Sequence, residues 1–112
     1  MQNRAAMKLS PDEFARIAKA LSDPRRFQIL ERIARQGDAA CQRLCGEFPV
    51  AQPTMSHHLK ELAAAQLIES RREGQFAYYR FRPEVAIAYA EALRDRLKLD
   101  VHAEAAGSDL TR

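Results

Sequence analysis

Two groups of residues have the types and spacing for chemistry. The first is Gln52, Thr54, Ser56, His57 and Lys60, crowded into a few residues of chain. An amide, two hydroxyls, an imidazole and an ammonium can donate to or accept from base edges and phosphates, which suits a helix lying in a DNA groove. An ordinary amphipathic helix with a solvated polar face is the plain alternative, although such a face more often carries Glu and Lys in pairs. The second group is Cys41 and Cys45. Four positions apart on a helix, their β-carbons lie about 5–6 Å from one another, close enough for two thiolates to bridge a soft thiophilic ion. Two other readings stand beside that one. Both cysteines share a stripe with Leu44 and Phe48, where a free thiol packs as a small apolar group. Arg43 and the helix N-terminus also lie close enough to lower a thiol pKa and expose it to oxidants. Ser56, His57 and His58 adjoin, but no carboxylate nearby in sequence orients a histidine, and neither a phosphate loop nor a cofactor glycine pattern is present. The chain reads as a non-enzyme.

The elements that hold these groups follow from periodicity and capping. Pro53, with a fixed φ and no backbone donor, belongs in the first turn of a helix. Met55, Leu59, Leu62 and Ala63 then form an apolar stripe opposite the polar set. Upstream, Ser10-Pro11-Asp12-Glu13 is a capping box that starts a helix over Pro11 to about Leu21. Asp23 and Pro24 restart the chain into a helix of about thirteen residues that Gly37 stops. Asp38 is placed to cap a short third helix carrying Cys41, Leu44, Cys45 and Phe48. Only Pro49-Val50-Ala51 separates that helix from the polar-fronted one, so the pair reads as a helix-turn-helix whose second member is the recognition helix.

After Gln66 the pattern turns to strands. Leu67 to Arg72 and Gln75 to Arg82 flank Glu73-Gly74 and predict a two-stranded antiparallel hairpin, a wing carrying Arg71, Arg72, Gln75, Arg80 and Arg82. Long cations there suit phosphate contact, although charged edges also discourage aggregation in an ordinary solvated hairpin. Pro83-Glu84 begins a last helix through about Leu99, with Val85, Tyr89, Ala92, Leu93 and Leu97 on one stripe. So much apolar surface on a terminal helix needs a cover. A second copy of the chain, pairing this helix and the first helix (Phe14, Ile17, Leu21) with their symmetry mates, is the simplest one, and packing on the domain body is the other. The fold class is thus mostly α with a small β-wing, a winged helix-turn-helix of about five helices and a two-stranded hairpin. Residues 1–10 form an N-terminal extension, 11–99 the DNA-binding and dimerisation domain, and 100–112, with His102, a flexible tail.

Composition agrees with one small globular domain: 112 residues, 46% hydrophobic and 29% charged. The net charge of +3 is uneven: residues 1–82 carry 14 Lys or Arg against 9 Asp or Glu, and residues 83–112 carry 4 against 6. A basic body with a mildly acidic end is compatible with a polyanionic partner. The longest low-charge run, Leu62 to Ile68, is far short of the roughly 20 residues of a membrane span, and the first residues lack the apolar core of a secretion signal. A cytoplasmic location follows, in which the two cysteines are expected to stay reduced.

Three segments, Ala20 to Leu30, Gln52 to Leu59 and Gly74 to Phe81, resemble the ArsR/SmtB family of bacterial repressors, in family order and spacing across roughly residues 13 to 97. The resemblance implies a homodimeric winged helix-turn-helix repressor that sits on a palindromic operator of double-stranded DNA and leaves it when an inducer binds. By position, Gln52, Thr54, Ser56, His57 and His58 fall where the family's recognition helix meets DNA, and Arg71, Arg72 and Gln75 fall in its wing. Two such recognition helices enter successive major grooves about 34–36 Å apart. His58 is as much a structural or phosphate-contacting position as a base reader. Against the family's arsenic-type Cys-x-Cys-x-x-Cys cluster, Cys45 matches the last cysteine while Cys41 falls between the other two, so a third thiolate is missing. The implied inducers are As(III), Sb(III) or another thiophilic ion, or a thiol oxidant, with no resident cofactor required. The alternative is a regulator of the same fold without a sensor, controlled by abundance or a protein partner. The family's zinc site has no counterpart here, since its positions hold Arg82, Glu84, Asp95 and Lys98, and Asp100-Val101-His102 lies too near the end to complete one.

Overall fold

The computed structural model describes residues 7–99. The expected tail over 100–112, including His102, and the first part of the N-terminal extension lie outside them. In chain order the elements are α1 (Pro11–Leu21), α2 (Pro24–Gln36), β1 (Ala39–Ala40), α3 (Cys41–Glu47), α4 (Gln52–Ala64), β2 (Ile68–Glu73), β3 (Phe76–Phe81) and α5 (Pro83–Arg96). The helix starts follow their local chemistry. Ser10 Oγ accepts from the Glu13 backbone N–H at 3.1 Å and Glu13 Oε1 accepts from the Ser10 N–H at 2.8 Å, so both orphan donors at the front of α1 are satisfied. Asp23 Oδ1 accepts from the Arg26 N–H at 3.0 Å and opens α2. Gly37, at φ 100°, closes α2 in a region that disfavours other residues.

Asp38 does not cap α3. Ala39 and Ala40 instead pair antiparallel with Tyr79 and Tyr78, so the sheet has three strands in the order β1-β3-β2. The expected two-stranded hairpin is present as β2 and β3, paired from Ile68 opposite Phe81 to Glu73 opposite Phe76. Two alanines carry no alternation that sequence alone could read as a strand. The last helix is also shorter than expected, ending at Arg96 rather than Leu99. Lys98 takes a left-handed φ of 58° and the Leu99 N–H reaches back to the Arg94 carbonyl at 2.8 Å. Helix α4 ends in the same manner: Gln66 sits at φ 66° and the Leu67 N–H donates to the Leu62 carbonyl at 3.1 Å. This closure buries Leu62 and Leu67 together and turns the chain sharply into the wing.

The core is one cluster drawn from α1, α2, α3, α4, the start of β2 and α5, including Ile17, Ile29, Ile33, Leu44, Met55, Leu59, Leu62 and Val85. Ile17 and Val85 are therefore interior residues of a single chain. Their expected place in a surface between two copies is corrected, since each is 1% exposed. Among the described residues no helix is long and apolar enough to cross a membrane.

A polar clamp holds α3 against α2. Arg32 Nε and Nη2 donate to Glu47 Oε1 and Oε2 at 2.7 and 3.1 Å, and Nη1 donates to the Gly37 carbonyl at 2.8 Å. This is the forked geometry that only arginine offers a carboxylate. The Arg32 hydrogen bond, and after it the charges of Arg32 and Arg43, hold the Glu47 carboxyl below its ordinary value of 4.5. A carboxylate with a lowered folded pKa stabilises the fold above its unfolded pKa and ceases to as pH falls through the folded one. Glu47→Gln is therefore expected to lower the urea midpoint at neutral pH. The gap from wild type should close as the medium is acidified below the ordinary carboxylate range, and a gap independent of pH would refute the clamp.

Candidate nucleic-acid interface

The turn from α3 to α4 consists of Phe48, Pro49, Val50 and Ala51. Phe48 leaves the helix in extended conformation while its N–H still bonds the Leu44 carbonyl at 3.1 Å. Pro53 occupies the first turn of α4, as its missing donor requires. The helix then divides sharply. Met55, Leu59 and Leu62 are buried against the core, whereas Gln52, Thr54, Ser56, His57 and Lys60 are exposed. The polar set named from the sequence is thus brought together on one solvent-facing surface, held from behind by a packed stripe.

His58 departs from that surface. It is 6% exposed and faces α2, where Nε of Arg26 donates to its Nδ1 at 3.3 Å. Of the roles the sequence allowed it, the structural one agrees with this placement. Burial pushes the imidazole below its ordinary pKa of 6.5; the Asp23 carboxylate pulls it back up, and Arg26, His57 and Arg25 add to the lowering. Arg26 was not legible as an inward residue, because an arginine in the first turn of a helix ordinarily faces water.

The wing cations are not equivalent. Arg71 bonds Glu73 at 2.7 Å, approaches Asp38 at 3.9 Å, and lies over the Tyr78 ring at 5.4 Å. Arg80 pairs with Glu69 across the strands at 3.6 Å. Arg82 serves the fold: it donates to Gln66 Oε1 at 2.7 Å and to Glu84 at 3.0 Å, tying the end of β3 to the close of α4 and the start of α5. Arg72 is exposed and has no ion pair among the described residues, which makes it the wing cation whose charge is least spent within the protein. Gln75 is at the hairpin tip beside Gly74, whose φ of 62° makes the reversal.

Cys41 and Cys45 are half-buried, and both are free thiols. Cys41 Sγ lies 3.9 Å from Ser56 Oγ, so the front of α3 touches the exposed face of α4. Burial, the charge of Cys41 and a hydrogen bond from it raise the Cys45 pKa above its ordinary value. For Cys45 this direction is opposite to the lowering that Arg43 and the helix N-terminus would give. Arg43 is turned to Glu47 at 3.3 Å instead. Among the described residues no three His, Cys, Asp or Glu side chains converge into a metal-binding group. The two thiols supply fewer sulfur ligands than the three that trivalent arsenic prefers.

A helix-turn-helix domain model matches residues 21–71, the span from the end of α1 into the wing. The chain is 37% identical to the arsenical resistance operon repressor of Staphylococcus xylosus, over 68% of this chain and 72% of that protein. It is 40% identical to the transcriptional repressor SdpR of Bacillus subtilis, over 56% of this chain and 69% of that one. This protein belongs to the ArsR family of winged helix-turn-helix transcriptional regulators. The homodimeric winged helix-turn-helix DNA-binding domain of a possible ArsR-family regulator from Mycobacterium bovis superposes with a TM-score of 0.64 at 32% identity, covering 86% of this chain and 94% of that one.

Proposed function

We propose that this protein is a cytoplasmic, non-enzymatic repressor that binds a palindromic DNA operator as a homodimer, with residues 11–99 as its DNA-binding and dimerisation domain. The observation that carries the reading is the division of α4, whose buried apolar back fixes an outward face of Gln52, Thr54, Ser56, His57 and Lys60. These groups read base edges and phosphates, and Arg71, Arg72 and Gln75 follow the backbone from the wing. Its dimer surface runs along α1 and α5. Phe14 and Tyr89 meet there with ring centres 4.8 Å apart, and Arg96 covers Phe14 at 3.9 Å. Leu21 and Ala92 border them, while Leu93 and Leu97 stay exposed, the latter 59%. A second copy supplies the missing apolar cover.

The inducer acts at Cys41 and Cys45 as As(III), Sb(III) or another thiophilic ion, or as a thiol oxidant, and no resident cofactor is required. The contact between Cys41 and Ser56 supports this, because a group added to that sulfur presses on the reading face. A second reading, a regulator of the same fold with no sensor, is favoured by the packing of both cysteines against the core. One experiment separates them. The protein first selects its preferred duplex from a random-sequence library. Release of that duplex is then measured for wild type and for Cys41→Ser with Cys45→Ser, with arsenite, antimonite and peroxide. Release of wild type alone is the expected result, and equal behaviour of the two proteins overturns the cysteine mechanism.

A further inference from the structure

We infer that Arg26 and His58 form a positioning pair that fixes how α4 sits on α2, and that protonation of His58 releases it. The inference rests on the reading of α4 as the DNA-contacting helix. Arg26 is 9% exposed and joins three helices: Nε donates to His58 Nδ1 on α4 at 3.3 Å, Nη1 to the Ala20 carbonyl on α1 at 3.4 Å, and its own N–H to Asp23 at the start of α2. A guanidinium only donates and stays charged. The nitrogen of His58 that accepts from it must therefore carry a lone pair, which makes the ring neutral, with its proton on Nε2.

A proton added at Nδ1 removes the acceptor and sets an imidazolium against a guanidinium in a buried contact. The surroundings offer little relief. Facing His58 are Asp23, Arg25 and Arg26 from the start of α2 and His57 from α4 itself. The one carboxylate among them already accepts from the Arg26 backbone at 3.0 Å. The contact relaxes when the two side chains separate, which loosens the seat of α4 on α2. His57, the next residue on the helix, belongs to the exposed face, so any rotation that frees His58 displaces a DNA-facing side chain.

The direction with pH follows from burial of a neutral imidazole. Its stabilising contribution is complete above the ordinary histidine pKa and falls away as pH drops below that value toward the lowered folded one. An ordinary core histidine would change stability alone. A positioning pair changes the pH profile of DNA binding as well.

The experiment compares wild type with His58→Gln, whose side-chain oxygen accepts from Arg26 but does not titrate. Affinity for the selected duplex is measured from pH 8 to pH 5.5, with the His58 ring followed by NMR in wild type. His57 is present in both proteins, so the ratio of their affinities isolates the change made at position 58. Wild type is expected to lose affinity several-fold relative to His58→Gln as the medium is acidified, with His58 titrating below the ordinary histidine value. Parallel affinity profiles, or a His58 ring that titrates at or above the ordinary histidine value, overturn the proposal. If neither protein selects or holds a duplex at any pH, the DNA-binding reading fails. The ring titration and the amide exchange of α4 across the same pH range then decide the positioning pair alone.

Discussion

A protein carrying His57→Ala together with Arg72→Ala is expected to hold its selected duplex on the order of 100-fold more weakly than wild type, since a base-edge contact contributes about 1–3 kcal/mol and each change occurs twice in a dimer. The two substitutions separate in salt. Arg72 has no ion pair among the described residues, so its loss removes a phosphate contact from each protomer and should make the log–log salt slope shallower by roughly 0.9 per contact. His57→Ala should weaken binding with little change in slope. Arg71→Ala is the informative control: its charge is shared with Glu73 and Asp38, and it should cost less than Arg72→Ala. Filter binding or fluorescence anisotropy across a salt series reads all three. Equal salt slopes for wild type and Arg72→Ala would remove the wing from the interface.

Leu59→Ala is expected to cost about 2–5 kcal/mol of stability, the range for emptying a buried leucine site, out of the roughly 5–15 kcal/mol that holds a small domain together. Leu59 is 1% exposed and lies among Met55, Leu62 and residues of α1 and α2, so the surrounding helices cannot collapse into the gap without shifting α4. A thermal or urea transition measures the loss. His57→Ala, one turn face away, should move the same midpoint by no more than about 0.5 kcal/mol, as surface changes do. A large loss for both would mean that α4 is not divided into a reading side and a packing side.

Much of this architecture was legible because its signals are local. Ser10 with Glu13, Asp23 with Pro24, and Gly37 set helix ends through backbone chemistry confined to a few residues. The apolar stripe of α4 and the strand-forming residues around Gly74 placed that helix and the wing. What escaped depended on partners distant in sequence. Ala39 and Ala40 become a strand only because Tyr78 and Tyr79 lie alongside. Arg26 turns inward only because His58, 32 positions away, accepts from it. Ile17 and Val85 lie on the same stripes as surface neighbours, and periodicity cannot tell which member of an apolar stripe meets its own core and which is left for a partner. Helix ends closed by Gln66 and Lys98 in left-handed conformation lack the glycine that usually marks such a turn.

The short pairing of Ala39 and Ala40 with the hairpin has a consequence for the DNA itself. It hems the front of α3 to the strand that carries the wing, while Arg32 and Glu47 fasten its other end to α2. Both ends of α3, the helix that packs in front of α4, are thus tied down, one to the wing strand and one to α2. On the proposed reading, in which α4 meets bases and the wing meets phosphates, an operator half-site lengthened by a single base pair between them moves one target about 3.4 Å along the duplex from the other. With α3 held at both ends, such a site is expected to bind more weakly than the unaltered one, and equal affinity for the two would argue against this restraint.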